Sequence, residues 1–391
     1  MCGYLLIIFF GIIVGGISGI IPGLHTNTLA SILGWNFDGS DISLLIIAIF
    51  GSQVVFSFVP AIFFGIPDEK SVVSVLPGHR MATRGRGYEA LLICLLAGVL
   101  ACIVSLLSLP IAIWSYPLVY SISERFIPLL LGSVLFLLIA KEKDMVSRFL
   151  CLVVTLTAGL LGFVVLNSGN PDPLFPLFCG LFAVSGIVFA TMGNEKRFSQ
   201  QRDMSTINFD FAPEIIFGVI LGWLADLIPG ISSPAQMALL GGLIFWREGE
   251  KEDARKYLAL ISAISVSQGV FAFASLEAIG KARVGALAIA SEISESNILW
   301  MVGIFCFSFA VASIALLGLS KIIRRLETGN IKRTYPVILG YLILAVLLVS
   351  GVDGLIILLA STLVGSLPNI LKTSRLALMA CLIIPTILYY M

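Results

Sequence analysis

Two stretches of the chain combine a helix-breaking Pro-Gly pair with a cluster of small polar side chains. The first places four polar residues after Pro22-Gly23, namely His25, Thr26, Asn27 and Thr28. The second places three after Pro229-Gly230, namely Ser232, Ser233 and Gln236. Hydroxyl and amide groups cap the free N–H groups at a helix start, and that end of a helix favours an anion. The pattern predicts either capping alone or the binding of a small anionic substrate.

Asp226 lies in the apolar run that leads to the second break. A carboxylate within a membrane is costly and is first considered as functional, so we predict that Asp226 binds a coupling cation, Na⁺ or H⁺. The alternative is an interfacial position near the helix end. Gln53 and Gln268 lie in the middle of apolar runs, and a glutamine amide both donates and accepts hydrogen bonds. These two residues predict either substrate contacts or hydrogen bonds between helices.

The composition places these residues in a membrane. Of the 391 residues 58% are hydrophobic and only 12% are charged, against about 25% charged in soluble domains. We therefore predict a multi-pass protein of the cell membrane, surrounded by the lipid bilayer. The net charge of +1, without a basic block, argues against a nucleic-acid partner. The seven cysteines are scattered without a C-x-x-C pair, and we predict neither a metal site nor another cofactor.

The apolar runs predict an all-α fold of about ten to twelve membrane segments. The runs, several of which are too short to cross a membrane, are 4–22, 27–35, 42–66 with an interruption at Pro60, 88–113, 126–141, 147–167, 173–192, 212–228, 234–246, 257–279, 296–320, 335–350, 352–368 and 375–390. Backbone freed by a helix break must line a cavity or be buried in protein, because hydrocarbon offers no hydrogen bonds. A broken helix in each half of a chain is typical of a transporter's substrate site.

The second half repeats the first. Pro229-Gly230 follows Pro22-Gly23 by 207 positions, and Ser267-Gln268-x-x-Phe271-x-Phe273 follows Ser52-Gln53-x-x-Phe56-x-Phe58 by 215. We predict a duplication, with a first transmembrane repeat at 1–192, a cytoplasmic linker at 193–211 and a second repeat at 212–391.

The distribution of basic residues predicts that the two repeats are inverted. Lys and Arg concentrate in the connections 68–86, 141–148, 193–202, 247–256, 321–333 and 372–375, which the positive-inside rule places in the cytoplasm. The connections 36–41, 119–124 and 167–172 are poor in both and are placed outside. This topology requires each of the stretches 4–35 and 212–246 to begin and end on the same side of the membrane. The halves then have opposite orientations, as in many alternating-access carriers.

One short motif would also fit an enzyme. Gly16-Ile17-Ser18-Gly19 together with His25 allows an intramembrane serine protease, in which nucleophile and base would meet in a wet cavity. Ser18 instead lies on a glycine-rich helix face suited to close packing. We predict that the protein is not an enzyme, and the chain has no Walker A motif for ATP.

With these motifs, the chain resembles the TctA family, the large permease subunit of tripartite tricarboxylate transporters. The shared features are Gly15-x-x-x-Gly19-Ile-Ile-Pro22-Gly23-Leu, Gly65-Ile-Pro67, the loop from Leu76-Pro77-Gly78-His79-Arg80 to Glu89-Ala90, and Ile228-Pro229-Gly230-Ile231-Ser232-Ser233. The chain is shorter than the classical permeases, and Gly-Ile-Pro-Asp-Glu-Lys replaces their Pro-Gly-Thr-Pro type of run. It is more similar to a compact archaeal branch.

The resemblance implies a secondary carrier of carboxylates, driven by a Na⁺ or H⁺ gradient. It also implies a small membrane subunit and an extracytoplasmic binding protein as partners, and it is compatible with a homo-oligomer. The predicted function is transport of a small organic anion bound between the two broken helices. The alternatives are a carrier or exporter of another small or lipidic solute on the same fold, and a membrane assembly subunit that transports nothing.

Overall fold

The computed structural model describes most of the chain. The described ranges are 2–21, 26–27, 29–30, 33, 39–63, 75–123, 126–170, 173–192, 210–227, 237, 251–282, 284–293, 297–319, 322 and 331–391. Within these ranges every regular element is a helix, and seven helices are long and apolar enough to cross a membrane. The chain is an all-α polytopic membrane protein, as its composition predicts.

The helices are numbered in chain order. In the first half they are α1 (Cys2–Ile20), α2 (Ser40–Phe56), α3 (Phe58–Phe63), α4 (Val75–Thr83), α5 (Gly87–Ser123), α6 (Ile127–Ala140), α7 (Met145–Leu166), α8 (Leu174–Phe178) and α9 (Ser185–Met192). A π-helix at Cys179–Val184 joins α8 to α9. In the second half they are α10 (Ala212–Leu227), α11 (Lys251–Ile279), α12 (Gly285–Ile293), α13 (Ile298–Gly318), α14 (Ile331–Leu371) and α15 (Ala380–Tyr390), with a 3-10 turn at Arg375–Met379 before α15.

Two helix boundaries near prolines differ from the sequence prediction. The interruption expected at Pro60 lies at Ser57, because Pro60 falls in the first turn of α3, where its missing N–H breaks no helical bond. The span expected at 88–113 continues as α5 to Ser123 and includes two prolines. Membrane helices tolerate internal proline because neighbouring helices and side chains compensate the freed backbone groups.

The break between the predicted spans 335–350 and 352–368 is a single glycine within α14. Gly351 has φ 67° and ψ −161°, a left-handed conformation that glycine adopts without steric cost. The side chain of Asn170 donates a hydrogen bond of 3.0 Å to the carbonyl of Ser350 at this break. The backbone group that the break releases is therefore satisfied from another helix connection.

Helices α1 and α2 run parallel. Contacts advance in the same direction along both, from Gly11 with Ala48 through Gly15 with Ile49 to Gly19 with Phe56. The chain between Ile21 and Gly39 therefore connects opposite ends of this pair. That is the geometry required of a segment that returns to the side it left.

Helices α10 and α11 form the same kind of pair in the second half. Gly218 faces Ala263, and Gly222 faces Ser267. A Cβ atom on Gly222 would lie 2.9 Å from Cβ of Ser267, and one on Gly15 would lie 2.9 Å from Cβ of Ser52. These contacts match at the offsets of 207 and 215 read from the sequence. The two halves thus contain helix pairs that are built alike.

The two halves have opposite orientations. Helix α5 runs parallel to α11, with successive contacts of Glu89 with Arg255, Cys94 with Ser262, and Gly98 with Val266. It runs antiparallel to α13, with contacts of Gly98 with Phe309 and Cys102 with Cys306. Gly78 packs between Ile62 and Leu258, so the end of the α2–α3 span lies beside the beginning of α11. Helices α2 and α11 are therefore antiparallel, as inverted repeats require.

The helices form two bundles. The first bundle contains α1–α5 and α10–α13, in which α5 packs on α11 of the second half and α13 packs on α2 of the first. The second bundle contains α6–α9, α14 and α15, and its seams are the close approach of Gly162 to Cys381 and of Gly180 to Ser361. The side of each connection and the repeat boundaries at 192 and 212 remain predictions, because residues 193–209 lie outside the described ranges.

Candidate functional site

The segment after the first Pro-Gly pair is held by Gln53. This glutamine is 3% exposed in α2, and a buried amide must be hydrogen-bonded. Its Oε1 accepts the backbone N–H of Thr26 at 3.1 Å and also the hydroxyl of Thr26, while its Nε2 lies 3.4 Å from the hydroxyl of Ser18. Of the two alternatives for Gln53, the structure shows the hydrogen bond between segments. Ser18 donates to the carbonyl of Gly15 at 3.1 Å, in keeping with a packing role.

Asn27 links the same segment to the second half of the chain. Its Oδ1 accepts the backbone N–H of Ala286 at 2.9 Å, and its side chain lies against Gly285. Asn27 therefore caps the N-terminus of α12, although 259 positions separate it from Ala286. In contrast to the buried Thr26, Asn27 is exposed. A polar group of one repeat and the positive end of a helix of the other thus meet at an accessible position.

Asp226 is buried beside Gln268. It is 0% exposed, and its Oδ1 lies 3.4 Å from Nε2 of Gln268, which donates to it. Tyr116 of α5 reaches the same place, with its hydroxyl 3.3 Å from the carbonyl of Trp223 and its ring stacked on the Trp223 indole. Asp226 lies one residue before the end of α10 and is fully buried within the protein.

Gly19 occupies the position in the first repeat that Asp226 occupies in the second, 207 residues later. A Cβ atom at Gly19 would lie 2.7 Å from Cβ of Phe56 and 3.1 Å from the carbonyl of Gln53. The first repeat therefore has no room for a side chain where the second has a carboxylate. The offset of 207 residues between the two Pro-Gly pairs is the sequence signal that relates Gly19 to Asp226.

Lys281 lies close to the α12 N-terminus. Its ammonium group is 2.7 Å from the hydroxyl of Tyr120 and 4.7 Å from the centre of that ring, a cation–π geometry. Its carbonyl accepts the hydroxyl of Ser275 at 3.0 Å, and the side chain is exposed. The cation of Lys281 thus lies a few residues before the N-terminus of α12, which Asn27 caps. Neither Tyr120 nor Tyr116 was singled out in the sequence, because an aromatic residue in an apolar run gives no separate signal.

The basic loop that ends at Glu89-Ala90 forms an ion pair with the second half of the chain. Nδ1 of His79 lies 3.1 Å from the carbonyl of Ile62. Arg86 binds Glu89 through two hydrogen bonds of 2.6 and 2.7 Å, and Arg255 of α11 also binds Glu89. Arg80 and Arg84 are exposed.

Most of the predicted substrate residues lie outside the described ranges. These are Pro22, Gly23, His25, Thr28, Pro229, Gly230, Ser232, Ser233 and Gln236. Within the described part of the chain, no group of three or more His, Cys, Asp or Glu residues could hold a metal ion. The described cysteines are all free thiols, and Cys102 and Cys306 lie 3.7 Å apart, sulfur to sulfur.

The inverted helix pairs, with Gln53, Asn27 and Asp226 as polar groups close to them, define an all-α multi-pass membrane protein with two halves built alike. Comparison with protein families identifies the family to which the chain belongs. The family described as "Tripartite tricarboxylate transporter TctA family" matches residues 5–380, and the chain belongs to this family of transporter permeases. Membership points to a carrier rather than an enzyme, located in the cell membrane.

Among curated proteins, the chain is similar to the uncharacterized protein MJ1079 of Methanocaldococcus jannaschii. The two are 27% identical over 403 residues, which cover 99% of each chain. The common length and the archaeal source agree with the compact archaeal branch expected from the sequence. No solved structure was found to match this chain.

Proposed function

We propose that this protein is a secondary active transporter of small organic anions with carboxylate groups, driven by a Na⁺ or H⁺ gradient. Substrate binds between the segments that follow Pro22-Gly23 and Pro229-Gly230. The observation that carries the proposal is the contact of Asn27 with Ala286, in which the polar segment of one repeat meets a helix N-terminus of the other.

The chemistry of this meeting point suits a carboxylate. The N-terminus of α12 carries a partial positive charge from aligned peptide dipoles. Asn27 is exposed and uses its oxygen on Ala286, and Lys281 adds a full positive charge nearby. In the proposal the further polar contacts come from His25, Thr26, Thr28, Ser232, Ser233 and Gln236, while Gln53 and Gln268 hold their segments in place.

Asp226 is the proposed residue for the coupling cation. A carboxylate near the C-terminus of a helix faces the negative end of the helix dipole, which disfavours its charged form. Burial disfavours that form further. Binding Na⁺ or H⁺ relieves both costs, so occupancy by the cation is linked to the stability of this arrangement.

The tripartite organisation of the family supports partners for the carrier. In the proposal an extracytoplasmic binding protein delivers the anion to the outer face, and a small membrane subunit packs beside the permease. Accumulation by the isolated chain would show that the partners raise affinity rather than perform transport.

The test is uptake by purified protein in liposomes, with labelled citrate and smaller carboxylates and an imposed Na⁺ or H⁺ gradient. We expect gradient-dependent accumulation of at least one carboxylate. Asn27→Ala removes the cap of α12, and we expect uptake to fall by about tenfold or more, since a lost cap costs about 1 kcal/mol and the substrate also loses a donor.

Asn297→Ala is the matched control. Asn297 caps α13 by accepting the N–H of Leu299 at 2.8 Å, and it is exposed like Asn27. The control should retain uptake although it loses an equivalent cap. Equal uptake in both variants would contradict a substrate site at Asn27. Accumulation of a lipidic solute and of no carboxylate, or no transport of any solute with the partners added, would favour the two alternatives.

A further inference from the structure

The second bundle contains an arginine whose charge is not balanced. Arg375 opens the 3-10 turn before α15, and its Nη2 donates to the carbonyl of Phe182 at 3.0 Å and to the hydroxyl of Ser185 at 3.3 Å. Its Nε is fully buried, and among the described residues neither Nε nor Nη1 has a hydrogen-bond partner. Two of the three guanidinium nitrogens therefore have no acceptor in the part of the chain that the structure describes.

Within the described part of the chain, no carboxylate neutralises this guanidinium. Ion pairs in the described part of the chain join Glu89 to Arg86 and Arg255, and Glu214 to Lys256, but none involves Arg375. Glu142 is close in the fold, yet its carboxylate accepts the N–H of Ser374 at 2.9 Å and makes no ion pair with Arg375. An unpaired charge of this kind is expensive to bury, and proteins normally supply a counter-ion.

Two further polar groups close to Arg375 in sequence lack acceptors. Nδ2 of Asn369 and the hydroxyl oxygen of Thr373 are buried without a hydrogen-bond partner among the described residues. Gly365 packs on Leu181, so Asn369, one turn later on α14, continues along the π-helix towards Ser185, which binds Arg375. The missing component at this place is thus an acceptor with several oxygen atoms and a negative charge.

The position of Arg375 indicates the source of that acceptor. The bond between Glu142 and Ser374 places the connections 141–144 and 372–374 side by side at one end of the bundle. Their exposed basic side chains are Lys141, Lys143 and Lys372. The positive-inside rule predicts that both connections lie on the cytoplasmic side, and a basic edge at that membrane surface attracts anionic phospholipids. A phosphate group carries a negative charge and accepts charge-assisted hydrogen bonds from a guanidinium.

We propose that Arg375 binds the phosphate of an anionic phospholipid headgroup. The lipid supplies the counter-ion of Arg375 and acceptors for the neighbouring donors. It thereby fixes the π-helix and the 3-10 turn, which Arg375 already joins, to one leaflet of the membrane. This role does not depend on the transported substrate.

The experiment measures the thermal unfolding midpoint of delipidated full-length protein in a neutral detergent. The additions are phosphatidylglycerol, phosphatidylcholine and inorganic phosphate, and the variants are Arg375→Met and Arg148→Met. Arg148 is the control because it is an exposed arginine near the same end of the bundle and donates to the carbonyl of Glu142. Native mass spectrometry counts the bound lipids in each sample.

We expect phosphatidylglycerol to raise the midpoint of wild type and of Arg148→Met, with phosphatidylcholine much less effective. Arg375→Met should require about tenfold more phosphatidylglycerol for the same shift. Without lipid it should unfold no earlier than wild type, because it lacks the unpaired charge. Equal lipid responses in wild type and Arg375→Met would overturn the site. A full shift with inorganic phosphate and none with phosphatidylglycerol would overturn the lipid as the source.

Discussion

Asp226 makes the two repeats chemically unequal at the residue scale. Its equivalent in the first repeat is Gly19, where tight packing on Phe56 excludes a side chain. The first repeat instead uses the neutral pair of Gln53 and Thr26 at the corresponding place. One repeat therefore offers neutral polar groups and the other a carboxylate, a division that suits a substrate on one side and a cation on the other.

We predict that Asp226→Asn abolishes the dependence of uptake on the cation gradient. Asparagine is of similar size and its Oδ1 can still accept from Gln268, but it cannot carry the charge that binds Na⁺ or H⁺. Exchange of substrate across the liposome membrane, measured without a gradient, should persist.

Glu214→Gln provides the control for that prediction. Glu214 lies on the same helix, is 4% exposed, and has its carboxylate 4.0 Å from the ammonium group of Lys256. This variant should keep its gradient dependence, since Glu214 lies at the opposite end of α10. A gradient response in Asp226→Asn that equals that of wild type would exclude Asp226 as the coupling site.

At the scale of elements, glycine seams decide how closely the paired helices approach. Gly15 and Gly222 lie at matching positions on α1 and α10, and each faces the serine of a Ser-Gln pair. Ser52 donates to the carbonyl of Ile12 at 2.8 Å across this seam. The seam brings Gln53 within reach of Thr26 and Ser18, so packing of small residues sets the geometry of the polar site.

Gly15→Ala should destabilise the protein and lower uptake. The added Cβ would overlap the carbonyl oxygen of Ile49, and overpacking of this kind costs about 1–3 kcal/mol. Thermal unfolding in detergent measures the loss.

Gly303→Ala is the matched substitution, because Gly303 lies within α13 with no atom within 4 Å of an added Cβ. It should be neutral or stabilising by up to about 1 kcal/mol, as expected for glycine to alanine in a helix. If both variants unfold at the same temperature, the seam at Gly15 is looser than its contacts indicate.

At the scale of the whole molecule, the two repeats are interlocked within the first bundle. Each contributes one long helix that packs on the paired helices of the other, and α5 and α13 meet at Cys102 and Cys306. The second bundle is packed mainly within itself. Relative motion of the two repeats would separate these seams, whereas motion of the first bundle as one body against the second would preserve them.

We therefore expect that an oxidative link between Cys102 and Cys306 leaves uptake largely intact. Their sulfur atoms are 3.7 Å apart, so a small shift permits a disulfide. Copper phenanthroline forms the link, mass spectrometry of free thiols counts it, and Cys306→Ser controls for oxidation elsewhere. Loss of uptake in proportion to the linked fraction would show that α5 and α13 separate during transport.

The sequence by itself determined the membrane class, the helical nature of the long apolar runs and the matching helix pairs, while the predicted short segments 27–35 and 234–246 lie mostly outside the described ranges. Hydropathy is a local property, and a hydrocarbon environment forces any long apolar run to satisfy its own backbone as a helix. The same reasoning located the break at Gly351 and the equivalence of the Ser-Gln pairs, since both depend on residue types at short range.

Only the tertiary structure decided which polar groups meet. Asn27 and Ala286, Glu89 and Arg255, and Arg375 and Phe182 are each far apart in the chain, and nothing in their local sequence names the partner. The inverted packing of the halves brings these groups together. Once buried or placed at a helix end, each polar group must find a donor, an acceptor or a counter-ion. The tertiary fold therefore decides which residues form the site.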